Sequence, residues 1–338
     1  MKPELTSTSD SKQDKQPLLS VRDLVVEYSI RQGTLRAVDR ASLDVHPGEV
    51  MAVVGESGCG KSTLAYSIIR QVPYPGEIKG GDIYFDGREV LDLDRKALRQ
   101  FRWKEIAIIF QAAQNTLNPV MRIADQMIDT VLDHEKQSKE QIIQKAGILL
   151  ERVRLDPNRV LHSYPFELSG GMRQRVIIAL SLLLNPRMLI LDEPTTALDV
   201  VTQVYILDIL ADIRHDLGLT MMLLTHDIAI VARVADRVAV MYAGQIVEEG
   251  AINDIFYRPR HPYTYGLIHS APSLVGDLMK KKPIEGAPPN LLNVPTGCRF
   301  HPRCAYATSV CQEKEPVMEA TGRWRVACHH WREIERGE

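Results

Sequence analysis

Nine residues, GESGCGKST at 55–63, limit what this chain can fold into more than any other stretch. They match the pattern G-x-x-x-x-G-K-[ST], with the apolar run VMAVVG at 50–55 before them and a helical pattern after them. Glycines let a backbone turn its amides toward phosphate oxygens, and a helix start adds positive potential. A chance glycine-rich turn does not explain the strand, the lysine and the hydroxyl together. The stretch therefore predicts a phosphate-binding loop in an α/β fold.

Each position in this loop has an expected role. Lys61 is expected to reach the β- and γ-phosphates of a nucleotide, and Ser62 to ligate Mg²⁺. Cys59 is expected to be a small residue that the loop tolerates. Lys61 and the helix start are expected to lower the pKa of its thiol. The residues assigned to the nucleotide site are Gly55, Glu56, Ser57, Gly58, Cys59, Gly60, Lys61, Ser62 and Thr63.

Other apolar runs predict the rest of the sheet. They are continuous rather than alternating, which is typical of strands buried on both faces of a mostly parallel sheet. A hairpin is predicted at 238–250, turning at Ala243 and Gly244. Strand patterns are scarce over 111–185, and 138–153 has helical periodicity, so a helical subdomain is predicted at about 112–185. The runs are IAIIF (106–110), MLILD (188–192), TMMLLT (220–225) and VAVMY (238–242).

Composition excludes several classes of function. A net charge of −2 gives no support to nucleic-acid binding, and 45% apolar residues are ordinary for a globular protein. No run reaches the roughly 18 apolar residues of a membrane span. The polar start lacks the apolar core of a secretory signal, and residues 1–18 are expected to be a disordered tail. The protein is expected in the cytosol, with any membrane contact made through partners.

Two acidic residues end the predicted strand in MLILDEP. Asp192 is placed to act as a carboxylate for Mg²⁺, and Glu193 to polarise an attacking water. The alternative is a solvated acidic turn, which the presence of a phosphate loop disfavours.

The stretch FELSGGMRQR at 166–175 predicts a second anion-binding helix start. Ser169 is suited to cap the helix, while Gly170 and Gly171 let amides approach an anion closely. A serine that merely ends a helix explains Ser169 but not the two glycines and the polar residues that follow.

Five motifs in order resemble those of an ATP-binding-cassette (ABC) transporter ATPase: the phosphate loop, IIFQ, LSGGMRQR, LILDEPTTALD and LLTHD. The resemblance covers about 20–255, and the ATPase domain is placed at 19–255. It implies the P-loop NTPase fold of an ABC nucleotide-binding domain, an α/β fold with a RecA-like core, an antiparallel β subdomain and a helical subdomain.

The resemblance also implies roles for single residues. Gln111 would touch Mg²⁺ or water and sense a membrane partner, Glu193 would be the catalytic base, and His226 would contact the γ-phosphate. Asp199 would couple two ATP sites. The helix behind Ser169 would face ATP held by the opposite subunit. Tyr28 would stack on adenine, with an exposed strand tyrosine as the alternative.

Beyond about residue 255 the composition shifts to Pro, His, Cys and Arg, which predicts a separate module at 256–338. Its four cysteines, Cys298, Cys304, Cys311 and Cys328, suit a structural zinc ion or an iron–sulfur cluster. None of the gaps between these cysteines matches the C-x₂-C spacing of a zinc ribbon. Free or disulfide-bonded cysteines remain as alternatives.

Two stretches, FQAAQNTLNPVMRI (110–123) and RPRHPYTYGLI (258–268), resemble the oligopeptide/dipeptide permease ATPases. That group implies a [4Fe-4S] cluster on the four cysteines. It also implies a second ATPase subunit, two membrane permease subunits and an extracytoplasmic binding protein, with this chain at the cytoplasmic face of the membrane. The cargo remains open between peptide, oligosaccharide and nickel, in that order of preference. Whether the two ATPase subunits are identical or different also remains open.

Two other classes of protein explain the sequence less well. A soluble ABC ATPase of translation or DNA repair generally has two cassettes or a long coiled coil, and neither is visible here. A P-loop kinase or GTPase does not explain LSGGM.

Overall fold

The computed structural model describes residues 16–196, 198–270 and 284–333. The strands in this part of the chain are β1 (Leu19–Ile30), β2 (Gly33–Val45), β3 (Val50–Val54), β4 (Gly76–Phe85), β5 (Arg88–Glu89), β6 (Ile106–Ile109), β7 (Met188–Asp192), β8 (Thr220–Thr225), β9 (Arg237–Tyr242), β10 (Gln245–Ala251), β11 (Glu319–Thr321) and β12 (Trp324–Val326). The α-helices are α1 (Lys61–Ile68), α2 (Arg95–Lys104), α3 (Ile123–Leu132), α4 (Lys139–Arg152), α5 (Pro157–Val160), α6 (Gly170–Ser181), α7 (Val200–Leu217), α8 (Ile228–Val234), α9 (Ile252–Tyr257), α10 (Pro262–Ser270) and α11 (Ser309–Glu313).

The larger sheet has the strand order β11-β12-β10-β9-β3-β8-β7-β6. Its centre, from β9 to β6, is parallel. β3, β7 and β8 are buried along their whole length, which explains why their sequences are continuously apolar. β9 and β10 form the predicted hairpin, in which Ala243 and Gly244 adopt φ angles of 47° and 87°. The strand runs read from the sequence are confirmed.

A smaller antiparallel sheet, ordered β2-β1-β4-β5, covers one side of this core. Along β1 and β2 buried residues are interspersed with half-buried and exposed ones, as in a sheet with one face against a core. The sheet agrees with the antiparallel β subdomain implied by the resemblance.

The region predicted to be helical contains α3, α4, α5 and α6, and the structure shows no strand at 111–185. Ser138 caps α4 through a capping box with Gln141, so the helix starts where its sequence indicates. The apolar faces of these helices share one buried cluster with β7 and β8. No helix in the described ranges is long and apolar enough to cross a membrane.

The carboxy-terminal extension is joined to the sheet rather than standing apart from it. β12 pairs antiparallel with β10, placing Val326 opposite Glu248. Phe300 and Trp324 of the extension belong to the same buried cluster as Tyr242 at the end of β9. The extension therefore completes one edge of the larger sheet.

Of the tail predicted to be disordered at 1–18, positions 1–15 lie outside the described residues. Leu18 is buried, and its backbone bonds to those of Val45 and Asp86, both at 2.8 Å. Ordered structure therefore begins no later than Leu18.

Replacing Glu248 with leucine is expected to loosen the extension. Glu248 is fully buried and accepts hydrogen bonds from Trp324 Nε1 and from the amides of Arg260 and His261. Loss of the acceptor costs about 1–3 kcal/mol for each buried donor. Thermal unfolding and limited proteolysis should show a lower Tm and faster cleavage beyond β10. The control, Glu319→Leu, removes an exposed ion pair and should change little; equal effects of the two variants would contradict this prediction.

Candidate nucleotide-binding and hydrolysis site

The phosphate loop joins β3 to α1 and leaves no space for side chains at two of its glycines. A Cβ on Gly55 would lie 2.1 Å from the carbonyl oxygen of Met241. A Cβ on Gly60 would lie 2.3 Å from the carbonyl oxygen of Ala37, and Gly60 has a φ of 111°. Glycine is therefore required at both positions. Ser57 and Gly58 lie at the exposed tip.

Lys61, the first residue of α1, lies over the loop. Its Nζ donates to the carbonyl oxygens of Gly55 at 2.7 Å and Glu56 at 3.2 Å. Cys59 is buried beside it, and burial raises the pKa of the Cys59 thiol more than the charge of Lys61 lowers it. The lowered pKa expected for Cys59 is therefore wrong, because depth of burial outweighs the neighbouring cation.

Asp192, the last residue of β7, has the chemistry of a cation ligand. Its side chain is buried, and neither carboxylate oxygen has a hydrogen-bond partner of good geometry among the described residues. Burial raises the pKa of Asp192, while Ser62 and Lys61 nearby act to lower it. A buried carboxylate without a donor, close to a hydroxyl, fits a divalent cation. Ser62 and Asp192 are thus the residues that would hold Mg²⁺.

Three predicted catalytic residues meet at the carboxyl ends of neighbouring strands. Gln111 follows β6, Glu193 follows β7 and His226 follows β8. Glu193 Oε1 lies 2.9 Å from His226 Nδ1, while Oε2 accepts from Gln111 Nε2 and from Thr196 Oγ1, both at 3.0 Å. The sequence predicts roles for Gln111, Glu193 and His226 but not for Thr196. Two threonines directly after Pro194 are the only local sign of a hydroxyl near Glu193.

These contacts set the charge state of Glu193. Burial acts to raise the pKa of Glu193. The hydrogen bonds from His226 and Thr196 lower it by more than burial raises it, so the pKa lies below its usual value. Glu193 is consequently a carboxylate at neutral pH, the form that can accept a proton from water.

Ser169 caps α6, as predicted, with its Oγ accepting from the Met172 amide at 3.3 Å. Gly171 leaves no space for a side chain, because a Cβ would lie 2.8 Å from Cγ2 of Thr202. Asp199 caps α7 and accepts from the amide and hydroxyl of Thr202 at 2.9 and 2.7 Å. Ser169, Gly170 and Gly171 therefore sit beside the exposed segment that contains Asp199.

Tyr28 on β1 is half-buried beside the first turn of α1. Its hydroxyl lies 3.5 Å from Oγ1 of Thr63, and a side chain at Gly76 would collide with its ring. The ring therefore borders the phosphate loop, as a base-stacking residue would need to.

The four cysteines of the extension line one small cavity together with His261 and Phe300. Burial, together with their mutual proximity, raises the pKa of Cys298 to about 11 and that of Cys328 to about 12. In the conformation of the described residues, no group of three or more His, Cys, Asp or Glu side chains could hold a metal ion. The thiols thus share a cavity and suit a metal by type, but they are not arranged as a ready ligand set.

Two residues beyond position 256 that were not assigned to the site reach the phosphate loop. The side chain of Arg303 pairs with that of Glu56, and the hydroxyl of Tyr263 accepts from the Glu56 amide. Tyr263 lies in the stretch RPRHPYTYGLI (258–268), but nothing in the sequence around Tyr263 or Arg303 indicates this contact.

A phosphate loop between strand and helix, with an acid pair and a histidine at the ends of adjacent parallel strands, defines a P-loop nucleotide hydrolase. Residues 38–196 match the family model described as ABC transporter, and 247–311 match the oligopeptide/dipeptide transporter, C-terminal region.

Similar proteins are known over nearly the whole chain. The dipeptide transport ATP-binding protein DppD of Caldanaerobacter subterraneus is 47% identical, covering 94% of this chain and 98% of its own length. The oligopeptide transport ATP-binding protein OppD of Escherichia coli is 40% identical, covering 94% of each. The chain belongs to the ATP-binding proteins of the ABC transporter family, and it is an ATPase that uses ATP and Mg²⁺.

Solved structures agree with this fold. A dimeric ATP-binding cassette in a post-hydrolysis state, bound to ADP and Pi, is 26% identical with a TM-score of 0.61, covering 69% of this chain and 98% of its own. CbiO1 from Clostridium perfringens, part of an ABC transporter complex, is 29% identical with a TM-score of 0.62, covering 72% and 92%.

Replacing Thr196 with valine is expected to move the acid limb of the pH profile of kcat to higher pH. The hydroxyl of Thr196 stabilises the carboxylate of Glu193, so its removal raises the pKa of Glu193. ATP hydrolysis at saturating ATP should be measured across the acid range. The control Thr130→Val removes a hydroxyl bonded within α3 and should leave the profile in place. An acid limb that stays or moves to lower pH would contradict the assignment.

Proposed function

We propose that this chain is the ATP-hydrolysing subunit of an ABC importer that takes up dipeptides or oligopeptides across the cytoplasmic membrane. The observation that carries the proposal is the similarity, over nearly the full length, to proteins named for dipeptide and oligopeptide transport. The same ATPase role in an oligosaccharide or nickel importer is the alternative.

The chemistry of hydrolysis is assigned to Glu193. As a carboxylate it accepts a proton from the attacking water, while His226 and Gln111 hold its two oxygens in place. Lys61 and the loop amides bind the β- and γ-phosphates. Mg²⁺, held by Ser62, Asp192 and Gln111, would neutralise phosphate charge.

The second half of each site is assigned to another subunit. Ser169 caps a helix start in which Gly170 lies next to Gln114 and Leu198, and Gly171 next to Thr202. We assign this helix start to the γ-phosphate of ATP held by the opposite phosphate loop, with Asp199 coupling the two sites. ATP favours the closed dimer because these contacts exist only in that state, and hydrolysis removes them.

The partners follow from this role. They are a second ABC ATPase subunit, two transmembrane permease subunits and an extracytoplasmic substrate-binding protein. The second ATPase subunit is proposed to differ from this chain, with a second copy of this chain as the alternative. The chain would be peripheral at the cytoplasmic face, and its net charge of −2 supports no nucleic-acid partner.

The four cysteines are assigned to a [4Fe-4S] cluster, with zinc as the alternative. Support comes from their shared cavity and from four soft thiol donors, which suit either group. Because ATP hydrolysis needs no redox centre, the group would be structural or regulatory.

Glu193→Gln in the assembled transporter is expected to retain ATP binding, stall in the closed dimer and abolish peptide uptake, since the proton acceptor is lost. ATP affinity, phosphate release and uptake of labelled peptide should be measured together. Glu135→Gln, which alters an ion pair in the helical subdomain, is the matched control.

Turnover by Glu193→Gln near that of the unmodified protein would contradict the assignment of the base. Uptake of an oligosaccharide or nickel but not of peptides, with hydrolysis intact, would leave the ATPase role and replace the cargo.

Protein purified without oxygen is expected to contain iron and to show the visible absorbance of an iron–sulfur cluster. Cys311→Ser should lose both, whereas Cys59→Ser, which alters a cysteine outside the cavity, should keep them. A colourless wild-type protein with stoichiometric zinc would replace the cluster with the alternative.

A further inference from the structure

The segment between the first two clustered cysteines reaches into the nucleotide site through Arg303. The side chain of Arg303 is only 5% exposed, and its two terminal nitrogens donate to the two carboxylate oxygens of Glu56 at 2.7 and 2.9 Å. A bidentate pair of this kind fixes direction as well as distance. Glu56 is the second residue of the phosphate loop, so the pair fixes the loop itself.

The backbone of Glu56 has its own contact with the extension. Its amide donates to the hydroxyl of Tyr263 at 2.9 Å, and Tyr263 is fully buried in α10. On the other side, the carbonyl of Glu56 accepts from Lys61 Nζ. A displacement of Glu56 therefore moves an amide of the loop and the position of the phosphate-binding lysine together.

The same contacts adjoin the cysteine-lined cavity. Phe300 lines that cavity, and its ring lies 5.4 Å from Tyr263 and 5.2 Å from Tyr242. Arg303 directly precedes Cys304. The residues that support the phosphate loop therefore adjoin the wall of the cavity: Tyr263 through its contact with Phe300, and Arg303 through its neighbour Cys304.

We propose that Arg303 and Tyr263 are positioning residues of the nucleotide site, through which the carboxy-terminal extension holds the phosphate loop in its ATP-binding shape. Neither residue is expected to touch the phosphates. They act through Glu56, so the extension sets the affinity for ATP. The inference rests on the proposed function, and it adds that the carboxy-terminal extension regulates the same nucleotide site.

The test measures the Kd of the full-length chain for ATP, with Mg²⁺, by calorimetric titration. Arg303→Met is expected to weaken binding about tenfold, the loss of one charge-assisted contact. The Kd of Arg303→Lys should lie between those of the unmodified chain and Arg303→Met. Tyr263→Phe keeps the buried ring and removes only the hydroxyl, so it should fold normally and bind ATP severalfold more weakly. Arg332→Met breaks a matched arginine–glutamate pair in the same extension and should bind as the unmodified chain does.

A double variant separates position from charge. Arg303→Met alone leaves the carboxylate of Glu56 unpaired near the triphosphate, and repulsion could weaken binding. In Glu56→Gln/Arg303→Met that charge is absent, so the proposal expects binding to stay weak. In the assembled transporter, Arg303→Met should raise the KM for ATP while kcat at saturation stays the same, because Glu193 is untouched.

Three results would overturn the inference: Tyr263→Phe and Arg303→Met variants that fold and bind ATP as tightly as the unmodified chain, recovery of affinity in the double variant, or a fall in kcat alone. An unmodified chain that fails to bind ATP would instead count against the proposed function.

Discussion

The phosphate loop is packed so closely between its neighbours that its backbone cannot shift without them. Gly55 lies against the carbonyl of Met241 in β9, and Gly60 against that of Ala37 in β2. Both sheets therefore meet at the loop. Arg299 of the extension donates to the carbonyl of Ala243, in the turn after β9, and to the buried carboxylate of Asp39 in β2. Arg299 therefore links the end of β9 to β2. The position of the nucleotide site is thus set jointly by both sheets and the extension.

The proposed mechanism assigns two separate half-sites to this frame. One consists of the phosphate loop, Asp192 and the carboxylate of Glu193, which are held at the ends of adjacent parallel strands. The other is the helix start capped by Ser169, which packs beside the segment that begins α7. Each half presents anion-binding groups, and the proposed dimer places them opposite each other.

Local patterns predicted much of this arrangement. Strands buried on both faces are continuously apolar, which is why 188–192 and 220–225 were placed correctly. Ser169 was recognisable as a helix cap because a cap involves residues only three positions apart. Gln111 and His226 came from motif resemblance, and Glu193 from the acid pair that ends a buried strand. The structure brings their side chains together.

Long-range pairings could not be predicted in the same way. Arg303 and Glu56 are 247 positions apart, and each is a charged residue that could pair with many others. β12 has three residues, too few to show a period, so its pairing with β10 was missed. The pKa of Cys59 was expected to be lowered, but burial raises it. Burial is a property of the folded chain and could not be read from the neighbouring residues.

In the proposed dimer, one chain's phosphate loop is completed by another chain's Ser169 helix. A structure of the assembled transporter with a non-hydrolysable ATP analogue would show this contact. We expect Ser169 Oγ and the amides of Gly170 and Gly171 to lie within hydrogen-bonding distance of a γ-phosphate held by the opposite subunit. A closed, nucleotide-bound pair in which this helix start faces solvent would contradict it.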